Sequence, residues 1–188
     1  MKVLMIYGHP HPEMSLGNKI VMETVKAAVP DMDIRRVAEL YPDWKFDIKT
    51  EQEALAAADT IILQFPVYWY AYPALLKKYI EDVFAHGFAY GSTGTRLKGK
   101  TLIVSCTTGA PYDAYAEGKV QSHTMDSYMF PAAQLAQLCG MHFGGVLHTG
   151  GVMYIPGVSK PEDREPIIKA CQAHGAKLAS LLKLRGEE

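Results

Sequence analysis

The sequence predicts an α/β fold in which helices cover both faces of a doubly wound, five-stranded parallel sheet. Short apolar runs alternate with longer segments of helical period, which is typical of such sheets. Three of the runs are almost continuously apolar, as buried parallel strands are. The predicted strands are 2–7, 33–40, 60–65, 101–106 and roughly 141–149.

Helical periodicity between and after these runs predicts five helices, over 18–29, 50–58, 73–86, about 125–139, and 161–184. In the last one, Ser159 and Glu162 have the spacing of a capping box. A core-facing stripe follows from the apolar positions Ile167, Cys171, Leu178 and Leu182. Pro131 should start or kink its helix, because proline disrupts a helix interior.

The length and the charge balance limit the domain count and the partners. With 188 residues the chain is the size of one domain, predicted over 1–188. Its 19 basic and 20 acidic residues nearly cancel without a Lys/Arg-rich run, which argues against binding to nucleic acid or an anionic membrane. The expected partners are small molecules or other proteins.

The cysteines and the apolar runs indicate the cellular compartment of the protein. Cys106, Cys139 and Cys171 are far apart and outside any CxxC pattern, so we expect reduced, buried thiols rather than disulfides. The N-terminus lacks a signal-peptide pattern, and no apolar run approaches the ~20 residues that cross a bilayer. We therefore expect a cytoplasmic protein.

The loop after the first strand, GHPHPEMSLGNK at 8–19, is a candidate anion site. It contains neither a Rossmann fingerprint nor a P-loop. Ser15, Gly17 and Asn18 lie where the first helix should begin, so hydroxyl, amide and backbone N–H groups are available to a phosphate. Helix capping by Ser15 or Asn18 is the more common use of such residues, and both alternatives are open.

In the same loop, His9 and His11 have the spacing of a metal-binding pair. No third ligand lies nearby in sequence, so we predict no metal site. His9 is expected to donate or accept a hydrogen bond to a ligand or a neighbouring loop instead.

Two further loops should end at the same edge of the sheet, because parallel strands bring their carboxyl ends together. The first, QFPVYWYAYP at 64–73, is rich in aromatic residues. The second contains Thr107, Thr108 and Gly109, which offer hydroxyl and N–H groups to a planar heterocycle or an oxyanion. An anion site, an aromatic wall and a polar edge together complement flavin mononucleotide (FMN).

Over nearly its whole length the chain resembles the flavodoxin-like NAD(P)H:quinone oxidoreductases, the group that contains DT-diaphorase. Within that group it resembles the flavoprotein ancillary subunits of glutathione-gated potassium efflux systems. The segments that carry the resemblance are 6–19, 40–91 and TTGA at 107–110. The resemblance implies a flavodoxin-like sheet with strand order 2-1-3-4-5.

The resemblance also implies three sets of cofactor-binding residues. The phosphate and ribityl chain would be held by His9, Ser15, Leu16, Gly17 and Asn18. The isoalloxazine ring would contact Pro66, Val67, Tyr68, Trp69 and Tyr70, with indole stacking at Trp69 and the backbone of Pro66 and Val67 facing the N5 side. The alternative that Tyr68, Trp69, Tyr70 and Tyr72 form a dimer surface or part of the core is open. The pyrimidine edge would contact Thr107, Thr108, Gly109 and Ala110, and the N–H groups of 108–110 would stabilise its negative charge on reduction.

Catalytic assistance is implied less directly, because relatives often have TTGG followed by an aromatic residue and a histidine at shorter spacing. The nearest matches here are Tyr115, with Tyr112 as an alternative, and His123, which could equally be an exposed residue before the next helix. Tyr90 matches a position that reaches across a dimer to cover the partner's pocket, or it simply follows the end of a helix.

The implied function is a homodimeric enzyme that transfers hydride from NADH or NADPH to flavin N5 and then reduces a quinone in the same pocket. FMN is expected rather than FAD, because no second domain or long C-terminal extension is available for an adenosine half. The alternatives are a flavin-bound regulatory subunit of a potassium efflux transporter and a flavin-free binding module.

Overall fold

A computed structural model describes residues 1–155 and 157–186, so the predicted domain extends slightly beyond them. Five parallel strands form one sheet: β1 (Val3–Tyr7), β2 (Asp33–Arg36), β3 (Thr60–Pro66), β4 (Thr101–Thr107) and β5 (His142–Thr149). Their order in the sheet is β2-β1-β3-β4-β5. The predicted flavodoxin-like order 2-1-3-4-5 is confirmed.

Helices cover both faces of this sheet. They are α1 (Gly17–Ala28), α2 (Val37–Leu40), α3 (Ile48–Ala57), α4 (Ala74–Val83), α5 (Met125–Tyr128), α6 (Phe130–Leu138) and α7 (Arg164–Gly186). Helices α1 and α7 pack together over one face, and α3 to α6 supply the core on the other. None of the helices in the described part of the chain is both long and apolar enough to span a membrane.

The layer of α1 and α7 holds the predicted stripe of the last helix. Ile167, Cys171, Leu178 and Leu182 are all buried there. The two helices approach closely at Gly175, where an added Cβ would lie 2.6 Å from Thr24 Cβ. All three cysteines are buried and free, as predicted.

Several predicted boundaries are wrong. Strand β2 ends at Arg36, because 37–40 turns into the short helix α2. Helix α4 ends at Val83 rather than at 86. The predicted helix 125–139 is divided at Met129, and Pro131 lies in the first turn of α6, which confirms the expected break.

The predicted capping box at the start of the last helix is also wrong. The Ser159 hydroxyl accepts the N–H of Ile155, 2.9 Å away, so it caps no helix. The capping interaction lies one residue further along the chain, where the Lys160 N–H donates to Asp163 Oδ2 at 3.0 Å. A short 3₁₀ turn, Pro161–Asp163, precedes α7 and shifts the register of the cap.

A buried carboxylate connects α3 to its neighbours. Glu51 is fully buried, and Arg35 Nη2 approaches its Oε1 to 2.5 Å. The hydroxyls of Tyr41 and Tyr79 donate to the same carboxylate at 2.6 and 2.8 Å. The carboxylate is therefore both paired and fully hydrogen-bonded, as a buried charge needs to be.

Candidate functional site

A cleft of about 230 Å³ lies at the carboxyl edge of the sheet, where the loops after β1, β3 and β4 meet. This is the edge where open α/β sheets bind ligands. A fourth segment, which joins β5 to α7, closes one side. The lining residues are His9, Met14, Ser15, Leu16, Gly17, Asn18, Pro66, Val67, Tyr68, Thr107, Thr108, Gly109, Val152, Met153, Tyr154 and Ile167.

Most of the predicted cofactor-binding residues are among these lining residues. The exceptions are Trp69, Tyr70 and Ala110, which lie next to the cleft in sequence but do not line it. The sequence pattern did not indicate that Met14, Ile167 or the β5–α7 segment with Val152, Met153 and Tyr154 would line the cleft.

The first turn of α1 is open toward the cleft. No side chain caps the helix, so the more common role of Ser15 or Asn18 as a cap is not found. Within the described residues, the N–H groups of Gly17 and Asn18 have no backbone acceptor. Free N–H groups and the helix dipole make this turn suited to an anion.

Gly17 is required there for a steric reason. An added Cβ would lie 2.2 Å from Val152 Cγ1 and 3.1 Å from the sulfur of Cys171. The first distance is too short for a Cβ and the second is tight, so glycine lets the start of α1 approach the β5–α7 segment this closely without displacing the Val152 side chain.

Ser15 presents a hydroxyl proton to the cleft. The buried hydroxyl of Tyr7 donates to Ser15 Oγ at 2.9 Å, so Ser15 is the acceptor in that bond. Burial raises the pKa of Tyr7 to about 12, which keeps this donor protonated at neutral pH. The proton of Ser15 remains available to a ligand.

His9 is a neutral donor at the same edge. Its Nδ1 accepts the N–H of His11 at 3.1 Å, so the ring proton is on Nε2. Burial lowers the pKa of His9 to about 4. In the described ranges 1–155 and 157–186, no three His, Cys, Asp or Glu side chains cluster as metal ligands.

The loop after β3 is a tight turn that directs its aromatic side chains in different directions. Tyr68 and Ala71 exchange two backbone hydrogen bonds of 3.1 Å. Trp69 and Tyr70, between them, have φ values of 48° and 65°, which non-glycine residues rarely adopt. Trp69 is 93% exposed, whereas Tyr70 stacks on Tyr128 with ring centres 5.0 Å apart.

The Trp69 indole does not line the cleft of its own chain, and its contact with a flavin ring stays a prediction. At the start of the turn, the backbone has no free N–H group. Pro66 has no N–H, and that of Val67 is donated to the Thr107 carbonyl at 2.8 Å.

The loop after β4 supplies N–H donors from Gly109 and Ala110, which have no backbone acceptor within the described residues. The N–H of Thr108, expected to be free, is donated to the Thr149 carbonyl at 3.0 Å. The Thr108 hydroxyl donates to the Ala110 carbonyl at 3.0 Å and lies 2.8 Å from His148 Nε2. Thr108 thus holds the loop in shape, and its neighbour Gly109 lines the cleft.

The predicted catalytic residues lie outside the cleft of this chain. Tyr115 lines an adjacent cavity, where its ring meets that of His148 edge-on at 5.0 Å. Tyr112 stacks on the same imidazole at 5.2 Å. His123 is exposed and packs on Tyr128, and Tyr90 contacts His86 in the turn after α4.

The cleft is uncharged: no Lys, Arg, Asp or Glu is among its described lining residues. A neighbouring cavity shares Met14, Ser15, Leu16 and Tyr154 with it and adds the cations Lys19 and Arg164 and the carboxylate Glu13. The cleft's own hydroxyl, imidazole and peptide donors fit an oxygen-rich anion attached to a polar heterocycle.

Comparison with known proteins now identifies the family. The model of the Flavodoxin_2 family, described as flavodoxin-like fold, matches residues 1–177. The chain belongs to this family. The resemblance to flavodoxin-like quinone oxidoreductases is confirmed by the comparisons that follow.

A curated relative, the glutathione-regulated potassium-efflux system ancillary protein KefF of Enterobacter sp. (strain 638), is 42% identical over 142 residues. The match covers 75% of this chain and 78% of the relative. A relative of this chain is thus named as the ancillary protein of a potassium efflux system.

Two solved structures share the fold over almost all of the chain. General stress protein 14 of Treponema denticola, in complex with FMN, has a TM-score of 0.84 at 25% identity, covering 96% of this chain and 99% of that one. An NADPH-quinone reductase from P. pentosaceus has a TM-score of 0.71 at 27% identity, covering 93% and 98%. An oxidoreductase of the flavoprotein type is the class that these neighbours support.

Proposed function

We propose that the chain is an FMN-dependent NAD(P)H:quinone oxidoreductase. The observation that carries this proposal is the cleft itself, which joins an anion site at the start of α1 to free peptide N–H groups after β4. The FMN complex of a neighbour and the quinone reductase described for another support the same cofactor and reaction.

The phosphate would be held by neutral donors. The N–H groups of Gly17 and Asn18, the hydroxyl of Ser15 and the Nε2–H of His9 lie along one side of the cleft. Hydrogen bonds from neutral donors to a charged phosphate contribute about 1.5–3 kcal/mol each. The positive end of the α1 dipole adds to them.

When bound, FMN supplies the redox chemistry, since its ring accepts a hydride from NADH or NADPH and passes two electrons to a quinone. The N–H groups of Gly109 and Ala110, which have no backbone acceptor within the described residues, would stabilise negative charge at the ring's carbonyl edge. On the other side, the Pro66 carbonyl is a backbone acceptor at the end of β3.

Anaerobic spectroscopy of the purified protein tests this function. Acid should release a yellow compound with the mass of FMN. Addition of NADH or NADPH should bleach the flavin bands, and a quinone should restore them. A protein without flavin bands, before and after addition of FMN, would overturn the proposal, and release of FAD would correct the cofactor.

We also propose that the protein forms a homodimer at the rim that contains Trp69. The indole is 93% exposed on a turn with two positive φ values, and Tyr68 and Tyr70 expose further aromatic surface. Light scattering should give twice the monomer mass, and Trp69→Ser should shift the equilibrium toward monomer. An unchanged mass for Trp69→Ser would remove this surface from the interface.

A second candidate function is that of an ancillary subunit for a potassium efflux transporter, favoured by the curated relative described in those terms. Co-purification with such a transporter, together with feeble quinone turnover, would support it. Full quinone turnover without any stable association would favour the enzyme alone.

A further inference from the structure

A row of buried polar side chains runs beneath the cleft, in the layer between the sheet and helices α1 and α7. We call it the polar relay. Its members are Thr107, Asn18, Gln64, Ser105, His174 and Thr149. Asn18, Gln64, Ser105 and His174 are at most 4% exposed.

The relay begins at the cleft and leads away from it. The Asn18 amide donates to Thr107 Oγ1 at 2.9 Å, and its carbonyl oxygen accepts from Gln64 Nε2 at 2.6 Å. The Ser105 hydroxyl in turn donates to Gln64 Oε1 at 2.5 Å. Gln64 and Ser105 are direct neighbours in the β3–β4 register, so the sheet itself fixes this step.

With the Asn18 and Gln64 amides oriented as described, the remaining bonds have one consistent direction. Ser105 has a single proton, already donated to Gln64, so its 2.8 Å contact with His174 must have Nε2–H as the donor. His174 is neutral, because burial and then the nearby His148 and Lys177 lower its pKa to about 4. Its Nδ1 therefore accepts from the Thr149 hydroxyl at 2.8 Å.

At the cleft end, this direction leaves one proton unused. Thr107 Oγ1 accepts from Asn18, and in the described part of the chain its own proton has no acceptor. Thr107 lines the cleft, so that proton is available to a ligand there. Ser15 is held in the same way, by a buried tyrosine.

The polarity of these positions is not needed for packing. They lie next to the core around Ile62, Ile103 and Cys171, where apolar side chains would avoid the cost of burying polar groups. A fully satisfied buried network fixes the orientation of its members. Its open end at the cleft points to a role in ligand binding.

We propose that the polar relay is a positioning element that fixes the hydroxyl proton of Thr107 on the cleft side. There it donates to an oxygen acceptor of the bound flavin. His174 is the positioning residue that sets the direction from α7. The inference rests on the proposed function, because the acceptor belongs to FMN.

The tautomer of His174 tests the direction without any cofactor. In ¹⁵N NMR of the apoprotein at neutral pH, the imidazole should be protonated at Nε2 and unprotonated at Nδ1, with His174→Gln providing the assignment. The opposite tautomer would reverse every bond of the relay, and it would overturn the inference even if FMN binds.

A double-mutant cycle tests the link to Thr107. His174→Leu should raise the Kd for FMN, measured by flavin fluorescence, about fivefold to tenfold, as expected for one weakened hydrogen bond. Thr107→Val should do the same, and combining the two should cost no more than either alone. Additive effects, or an unchanged Kd for His174→Leu, would overturn the inference.

Two controls separate positioning from loss of structure. His174→Gln retains a donor and an acceptor, and it should keep the Kd within about threefold of wild type. Leu182→Val, at a buried position of α7 outside the relay, should lower thermal stability without changing the Kd. If the wild type itself binds no FMN, the proposed function fails, and the tautomer measurement still decides the relay.

Discussion

The hydroxyl of Tyr7 lies 2.9 Å from Ser15 Oγ and donates to it from beneath the cleft. This single bond connects the end of β1 to the loop that precedes α1. It satisfies the serine oxygen from the protein side, so the serine proton faces the ligand side.

Tyr7→Phe should therefore weaken FMN binding without removing any atom that lines the cleft. Ser15 would be free to rotate, and we expect a loss of affinity of roughly threefold to tenfold, with stability lower by about 1 kcal/mol. Fluorescence titration and denaturant unfolding measure the two effects. Ser15→Ala is the matched variant and should weaken FMN binding at least as much as Tyr7→Phe does. A larger loss of affinity in Tyr7→Phe than in Ser15→Ala would contradict this hydrogen-bond arrangement.

Stability should depend on pH through buried imidazoles. Burial lowers the pKa of His9, His148 and His174 to about 4, whereas an unfolded chain titrates near the ordinary value of 6.5. Between these values the unfolded chain binds more protons, so the free energy of unfolding rises with pH and is lost as pH falls from 6.5 to 4. Each group contributes at most about 1.4 kcal/mol per pH unit.

Urea unfolding at a series of pH values measures this slope. His148→Gln should reduce it, because one of the three titrating groups is removed. His142→Gln, at an exposed position of β5, is the matched control and should leave the slope unchanged. A free energy of unfolding that stays flat from pH 6.5 to 4 would contradict the burial of these imidazoles.

Glu51 should be the most sensitive charged position outside the cleft. Its removal leaves the Arg35 guanidinium and two tyrosine hydroxyls without their acceptor, so Glu51→Ala should cost about 3–5 kcal/mol. Glu51→Gln keeps the shape and should cost less. Chemical denaturation compares them with Glu53→Ala, an exposed neighbour on α3, which should change stability by less than about 0.5 kcal/mol.

Tyr115 and His123 remain predicted catalytic residues, although neither lines the cleft of its own chain. We expect Tyr115→Phe and His123→Gln to lower the quinone turnover number while FMN content stays at the wild-type level. Steady-state kinetics with matched flavin loading measures this, and His86→Gln, in the turn after α4, serves as a comparison. Turnover unchanged in both variants would remove the two residues from the proposed mechanism.

The sequence predicts the fold best where consecutive residues of a strand are all buried. The apolar runs of β1, β3 and β4 fix the sheet, and the rule that ligands lie at the carboxyl edge leads to three of the loops around the cleft. The strand prediction was wrong at 37–40. Val37 is buried in the short helix α2, and an apolar residue would be buried in a strand as well, so its hydrophobicity does not distinguish the two.

The missed parts of the site depend on contacts between distant segments. Met153 and Tyr154 line the cleft because the segment after β5 returns over the start of α1. The sequence pattern indicated a site only in the loops after the first, third and fourth strands. The role of His174 depends on the rotation of α7 relative to Ser105, 69 residues earlier. Helical periodicity predicts that the His174 side chain lies on a buried face, but it does not predict which residue forms a hydrogen bond with it.

The exposure of Trp69 gives the protein a built-in optical probe. The chain has two tryptophans, and the indole at 69 is 93% exposed, against 38% for Trp44. An indole in water emits at longer wavelength than a buried one, so contact of this rim with a second subunit or another protein would shift the emission to the blue. Association could thus be followed in dilute solution without a label, and Trp44→Phe would assign the signal to the rim.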